Sequence, residues 1–340
     1  MLRVLLTDPI DPSGVELLHA RGAEVVLAPE GSAETIRRLA SEADGVIVRS
    51  KLPDDIFEAA PRVRAVTIHG TGTDLVPLAS ANAHGVPVAN LPGVNAQSVA
   101  EFCVMAMLML ARNITAIASA IRTQPWDAAR ALSVQSREIA GLTAGIVGVG
   151  EIGLRVARIC RNGFGMTVLG NQRRLDRLPP EAQPASLEEL LAQSDFVVLA
   201  CPLTPDTHHL LNAERLGLMK RGAWLINVGR GAVVEETALI DALHAKRIAG
   251  AMLDVYEHYR IAPGHPLFAL DNVVLTPHLA GSTRESRARS SVRAAEETLR
   301  MLAGERPLNL VNAEAWEARL RVTAVSSASS PAPRPPRAGR

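Results

Sequence analysis

The sequence predicts an α/β protein made of two doubly wound parallel-sheet domains, and three observations carry that prediction. Short runs rich in Val, Ile and Leu alternate with helical stretches along almost the whole chain. Runs that are apolar at every position suit strands buried on both faces of a parallel sheet. The strand series also stops and restarts around one long helical interval, and 340 residues exceed what a single core of ~250–300 residues fills.

Taken in order, the first series is "LRVLLTD", "AEVVLA", "GVIVRS" and "AVTIHG". The second is "AGIVGVG", "MTVLGN", "FVVLACP", "AWLINVG", "AGAMLDV" and "NVVLTP". Between them, from Ser98 to about Ala140, lies the helical interval that opens "SVAEFCVMAMLMLARN". Ser98 and Glu101 have the spacing of a capping box, and so many of the following positions are apolar that the helix is expected to be buried on most sides. A second such pair, Ser282 with Glu285, starts a helix that runs to about Ala303 and leaves His278 in the loop ahead of it. The end, "SSASSPAPRPPRAGR", has nothing to bury, so residues 323–340 are expected to form a disordered basic tail.

Composition excludes several classes. A 47% hydrophobic and 21% charged chain is that of an ordinary soluble globular protein. The formal net charge of +1 leaves no electrostatic footprint for nucleic acid or an anionic membrane, so neither partner is expected and any substrate must be recognised locally. Cys103, Cys160 and Cys201 are odd in number and set in apolar sequence, which suits buried thiols in a reducing cytosol. No stretch has the order of a signal peptide, and the longest apolar run, Phe102 to Ala111, falls well short of the ~20 residues that span a bilayer. A cytoplasmic protein is the expectation. His208, His209 and His265 show no ligand spacing and are read as scattered surface rings, so no metal is expected.

"GIVGVGEIGLRVARI" holds Gly148, Gly150 and Gly153 as G-x-G-x-x-G between a strand pattern and a helix pattern. The first glycine permits a tight turn, the second lets backbone N–H groups approach a pyrophosphate, and the third lets helix and strand pack closely, so a Rossmann-type dinucleotide site is predicted. An NAD site normally carries Asp or Glu at the end of the next strand, on the ribose hydroxyls. Here that strand ends "VLGNQRRLDR", and counting lands on Asn171 or Gln172, with Arg173 and Arg174 next. Loss of the acid and gain of guanidinium favours the 2′-phosphate of NADP, with NAD the alternative and a solvated basic loop the competing explanation.

With "NLPGVNAQSVAE", "GIVGVGEIG", "CPLTPDTHHLLN", "LINVGRGAVVEETALIDAL", "LDVYE" and "LTPHLAGST" in this order, the chain resembles the D-isomer-specific 2-hydroxyacid dehydrogenases from about Val4 to Val311. The resemblance implies a flavodoxin-like substrate domain of residues 1–97 and 284–322 around an inserted NAD(P) domain of residues 98–283. It also implies a homodimer packed largely through the helical interval. The histidine of the family's "PHxAG" motif is its general acid/base, and the arginine of "NxGRG" holds the substrate carboxylate; these carry over to His278 and Arg230. Both types fit the chemistry: reduction of a 2-keto acid creates an alkoxide that needs a proton from a group titrating near neutrality, and a guanidinium grips a planar carboxylate through two hydrogen bonds. Contacts to the cofactor are implied for Glu151, Ile152, Cys201, Pro202 and Thr207, and for Val228, Gly229, Asp254, His278, Ala280 and Gly281.

The chain departs from the family at its third catalytic group. A glutamate that bonds the histidine is expected five residues after the aspartate of the "DV" motif, where this chain has Tyr259. Glu257 would replace it only with a shifted loop, and a solvated glutamate is the alternative; Tyr259 would orient the ring by a hydrogen bond or simply pack. At the substrate end, Gly70, Thr71 and Gly72 match the family's amide turn for the carboxylate. Arg49 and Ser50 match a pair that contacts phosphate in its phosphoglycerate branch, and Arg49 reads equally as a solvated strand-end residue. Because the longer phosphoglycerate enzymes carry a further regulatory domain, the expectation is a glyoxylate or hydroxypyruvate reductase acting reversibly on a small 2-keto acid. The alternatives are a dinucleotide-binding sensor with vestigial turnover, or a phosphoglycerate-, formate- or phosphite-type dehydrogenase.

Overall fold

The computed structural model describes residues 1–258 and 260–318. The chain divides into two units, one of Met1–Val94 with the chain from Arg284 onward, the other of Asn95–Thr283.

In the first unit β1 (Leu2–Leu6), β2 (Ala23–Leu27), β3 (Gly45–Val48), β4 (Ala65–Ile68) and β5 (Val88–Ala89) form one sheet in the order β2-β1-β3-β4-β5. Every pairing is parallel. Alternation of side chains along each strand feeds two cores. Val4, Leu6 and Ile47 pack with Leu18 of helix Pro12–Ala20 and with Ala294 and Met301 of helix Arg284–Leu302. Leu5, Val46 and Val48 pack with Ile36 and Ala40 of helix Ala33–Ala40 on the other side. The returning chain is stitched in by polar contacts: Thr298 Oγ1 donates to Thr67 Oγ1 at 2.8 Å, and buried Asn312 accepts the Val88 N–H at 2.7 Å and donates to the Val86 carbonyl at 2.9 Å.

In the second unit β6 (Thr143–Val147), β7 (Thr167–Asn171), β8 (Gln183–Pro184), β9 (Phe196–Leu199), β10 (Trp224–Asn227), β11 (Gly250–Leu253) and β12 (Val273–Leu275) form a parallel sheet. Their order is β12-β11-β10-β9-β6-β7-β8. Ile146, Phe196, Val198 and Ile226 face one core with Val99, Cys103 and Met107 of helix Ala96–Ala111 and Val156 of helix Glu151–Arg158. Val147, Val197, Leu199 and Leu225 face the other with Leu190, Leu216 and Leu239.

All the runs read as strands are strands; β5 and β8, two residues each, are too short to leave a periodic signal. Two helix starts differ from expectation. Helix Ala96–Ala111 begins after Asn95, so Ser98 lies inside it and bonds Thr283 Oγ1 at 3.0 Å instead of capping. The later helix begins at Arg284, which leaves Thr283 rather than Ser282 directly ahead of it. A full capping box forms at Ser186 and Glu189. Most of helix Ala96–Ala111 is buried, although Met105 and Leu108 remain 41% and 38% exposed. Among the described residues no single helix is long and apolar enough to cross a membrane. The expected tail, residues 323–340, lies outside the described residues.

Phe196 is fully buried and stacks on Trp224 with ring centroids 4.9 Å apart. Phe196→Ala is expected to cost about 3–5 kcal/mol, to be read as a lowered urea-unfolding midpoint.

Candidate functional site

Strand order in the second unit reverses between β9 and β6, and open parallel sheets bind ligands beyond the carboxyl ends of their strands at such a point. Gly148 leaves β6 with φ +92°, and a Cβ there would lie 2.6 Å from the Cys201 backbone nitrogen, so the position demands glycine. Open space lies where a Cβ of Gly150 would project, directly ahead of helix Glu151–Arg158. Gly153 is pressed against the Gly148 carbonyl, 2.4 Å from where its Cβ would sit. A bare turn, an open face and a helix N-terminus fit the pyrophosphate of a dinucleotide. Ile152 is partly buried, while the Glu151 carboxylate pairs with Arg155 at 2.7 Å.

β7 ends at Asn171, whose carbonyl accepts the Gly148 N–H at 2.8 Å and whose side-chain amide donates to the Ala185 carbonyl at 2.9 Å. Gln172 donates to the Arg174 carbonyl at 2.9 Å. Arg174 grips Asp176 through two bonds of 2.9 and 2.7 Å. Arg173 is exposed and has no hydrogen-bond or ion-pair partner among the described residues. After β9, burial pushes the Cys201 thiol up to about 11, leaving it neutral. Thr207 Oγ1 donates to the Pro202 carbonyl and accepts the Thr204 N–H, both at 2.7 Å, which closes that loop.

Arg230, Asp254 and His278 follow β10, β11 and β12, three neighbouring parallel strands. At the usual spacing this row spans about 10 Å. Past Val228, buried Asn227 accepts the Gly229 N–H and donates to the Arg230 carbonyl, each at 3.1 Å, and the guanidinium donates to the Gly229 carbonyl at 2.9 Å. Asp254 is 1% exposed, and its carboxylate accepts the Thr276 hydroxyl (2.7 Å), the Leu279 N–H (2.8 Å) and the Ala280 N–H (2.9 Å). His278 donates its own N–H to the Asp254 carbonyl at 2.9 Å and has φ +55°, a left-handed conformation that histidine tolerates better than most residues. Gly281 packs against Asn95, 2.4 Å separating its Cβ direction from the amide nitrogen.

Glu257 bonds His209 Nε2 at 2.9 Å. Burial opposes its charge, but hydrogen bonds from His209 and the Glu236 N–H outweigh that and hold the carboxyl below its usual value. His209 stacks on His208 at 3.9 Å, and His265 bonds Glu236 at 3.1 Å. The Leu267 N–H donates to His265 Nδ1, so the proton facing Glu236 sits on Nε2. His209 and His265 are therefore not the scattered surface rings expected from sequence; each is partly buried on a carboxylate, and no spacing rule links residues this far apart in the chain. Tyr259 lies outside the described residues.

In the first unit, Arg49 and Ser50 follow β3, and buried Thr7 accepts both of their N–H groups on its hydroxyl, at 2.8 and 3.0 Å. Ser50 donates to Asp8, and the Arg49 guanidinium bonds the Pro9 carbonyl. The turn Gly70-Thr71-Gly72 follows β4 and is pinned by the Leu91 N–H on the Gly70 carbonyl (2.7 Å) and by Asn90 on the Thr71 carbonyl (2.7 Å). Burial, with Arg49 nearby, pushes His69 down to about 4, so its ring is neutral where it meets Ser291 Oγ at 2.8 Å. Thr7 and Asp8 were invisible to motif reading, since a hydroxyl and a carboxylate after a strand are commonplace.

Comparison with known proteins agrees with this geometry. The NAD binding domain of the D-isomer specific 2-hydroxyacid dehydrogenases matches residues 104–280. The glyoxylate reductase of Aeropyrum pernix is 37% identical over 93% of this chain and 98% of its own length. The D-3-phosphoglycerate dehydrogenase of Methanocaldococcus jannaschii is 33% identical over 92% of this chain, which spans 60% of that longer protein. The NADPH-dependent glyoxylate/hydroxypyruvate reductase of Sinorhizobium meliloti, solved with NADP and malonate, superposes with a TM-score of 0.78 at 28% identity, covering 92% of this chain and 97% of that one. With the sheet order, the glycine cradle and both sets of strand ends all in accord, the chain belongs to the D-isomer specific 2-hydroxyacid dehydrogenases, oxidoreductases that work with a nicotinamide dinucleotide.

Proposed function

We propose that this enzyme is an NADP-preferring reductase of small, unphosphorylated 2-keto acids of the glyoxylate and hydroxypyruvate type, acting reversibly on the D-2-hydroxyacid. The observation that carries it is the row of Arg230, Asp254 and His278 on three adjacent strand ends. The nicotinamide supplies the hydride. Arg230 binds the substrate carboxylate through its guanidinium and polarises the keto oxygen. His278 gives that oxygen its proton on reduction and takes it back on oxidation. Asp254 fixes the backbone from which the imidazole projects.

The reading of an unphosphorylated substrate is supported by the first unit, where Arg49 and Ser50 are the proposed determinants of substrate choice. Their amides already serve the Thr7 hydroxyl, and Ser50 already serves the Asp8 carboxylate, which repels a phosphate dianion. The glyoxylate reductase of Aeropyrum pernix matches this chain over 98% of its own length, which supports the same choice. For the cofactor, the Arg173 guanidinium beyond Gln172, without a partner among the described residues and in a strand end without a carboxylate, suits the 2′-phosphate. A homodimer is proposed through the helical interval, where Met105, Leu108, Ile114, Ile121 and Trp126 leave 38–69% of their surface exposed.

Purified enzyme is expected to oxidise NADPH with glyoxylate or hydroxypyruvate and to be at least tenfold poorer, by about 1.4 kcal/mol of transition-state binding, with phosphohydroxypyruvate. His278→Gln should lose about 10²–10⁴-fold in kcat while NADPH binding, followed by fluorescence, stays intact; no turnover of any 2-keto acid by the parent enzyme would defeat the proposal. Arg173→Ala should weaken NADPH about tenfold and leave NADH unchanged, and equal losses would remove the phosphate contact. Leu108→Glu should convert a dimer to monomer in light scattering.

A further inference from the structure

We propose that Glu257 and His209 form a side-chain clamp that positions Arg230, an inference that rests on reading Arg230 as the carboxylate-binding residue. Three stretches meet around that arginine. The loop after β9 is zipped to the turn carrying Arg230: the His209 N–H donates to the Ala232 carbonyl at 2.8 Å, the Leu211 N–H to the Val233 carbonyl at 3.0 Å, and the Glu235 N–H to the Leu211 carbonyl at 2.9 Å. On its other side the turn rests on the chain that leaves β11. A Cβ on Gly231 would lie 1.8 Å from the Tyr256 carbonyl carbon and 2.4 Å from the Glu257 nitrogen, so the two backbones touch with no room between them.

Only a side-chain bond joins the two outer walls among these contacts, and that bond is Glu257 Oε1 to His209 Nε2 at 2.9 Å. The same glutamate is tied to the base of helix Glu236–His244, its N–H donating to Glu236 Oε2 at 3.2 Å and its Oε2 accepting the Glu236 N–H at 3.4 Å. His209 is held at φ +49°, a left-handed backbone that an L residue keeps only when its surroundings fix it. Its imidazole, stacked on His208, is thereby aimed at the carboxylate rather than at solvent.

The consequence concerns tolerance. An arginine that binds a carboxylate through two hydrogen bonds must be placed to within about 0.5 Å, and a shift of about 1 Å is enough to cost as much as 10²-fold in rate. With the walls unlinked, the turn bearing Arg230 keeps its backbone hydrogen bonds but loses the brace that stops it drifting. Glu257 is then a positioning residue. It acts on Arg230 rather than on the His278 ring.

Steady-state kinetics with glyoxylate test this. Glu257→Ala and His209→Ala should each raise KM about tenfold, change kcat less than threefold, leave the pH profile in place and leave NADPH affinity within twofold. Glu257→Gln keeps an acceptor for the imidazole N–H and should stay within threefold of the parent in kcat/KM. In an Arg230→Lys background, adding Glu257→Ala should cost less than threefold, since sites that act through one another are not additive. A shifted pH limb with unchanged KM would assign Glu257 to His278 and overturn the clamp. So would full tenfold additivity with Arg230→Lys, a parallel loss of NADPH binding, or unchanged kinetics in the two alanine variants. Should Arg230→Lys itself leave kcat/KM within twofold, the assignment of Arg230 fails separately.

Discussion

A carboxylate that is almost wholly out of water organises the carboxyl ends of β11 and β12. Asp254 accepts one hydroxyl and two backbone N–H groups on its side chain, and its own carbonyl accepts the His278 N–H. Burying a charge without partners is prohibitive, and hydrogen bonds to an ionised group are worth about 1.5–3 kcal/mol each. The loop from Thr276 to Ala280 takes a conformation in which the aspartate is satisfied. In that conformation His278 sits at positive φ, at a cost of about 1–3 kcal/mol that the aspartate's bonds offset. Tyr256 adds to the frame: its hydroxyl donates to the Thr276 carbonyl at 2.7 Å, and burial pushes its phenol up to about 12, so it stays a donor. Strain in the histidine's backbone and burial of the aspartate are two sides of one arrangement.

A second constraint is how closely the strand-end loops approach one another. Gly148 touches Cys201, and Gly231 touches Tyr256, in each case backbone against backbone. These contacts run across the sheet, between loops that follow different strands, so each loop's position is a boundary condition for the next. Gly148, which the dinucleotide motif assigns to a tight turn, thus also has a packing duty, as does Gly231. The same row of strand ends carries a buried neutral thiol, a turn with a cationic side chain, a buried carboxylate and an imidazole.

What the amino-acid order reveals divides along a physical line. Buried parallel strands announce themselves because every position in them is apolar, and all the long ones were legible. β5 and β8 were not, since two residues carry no period; β5 is held by Asn312, from the far end of the chain. Local capping patterns misled at Ser98, whose hydroxyl is drawn to Thr283 by tertiary contact while the helix starts a turn earlier. The packing demands at Gly148 and Gly153 were legible because the G-x-G-x-x-G spacing defines them. The bonds of Glu257 to His209, of Glu236 to His265 and of Thr7 to Arg49 and Ser50 were hidden, because each joins segments that follow different strands and that only the fold brings together.

The near-neutral chain makes local pairing decide where charge is available. Arg174 already has its counter-charge in Asp176, and Arg155 has its own in Glu151, so neither is an unspent cation. Arg173, one position earlier, has no such partner among the described residues. Adjacent arginines that look equivalent in sequence are thus unequal: a bidentate pair screens one guanidinium, while its neighbour keeps its full field for whatever anion comes to the end of β7. Which guanidinium at that strand end keeps its charge unpaired depends on the local acid, and a count of basic residues does not report it.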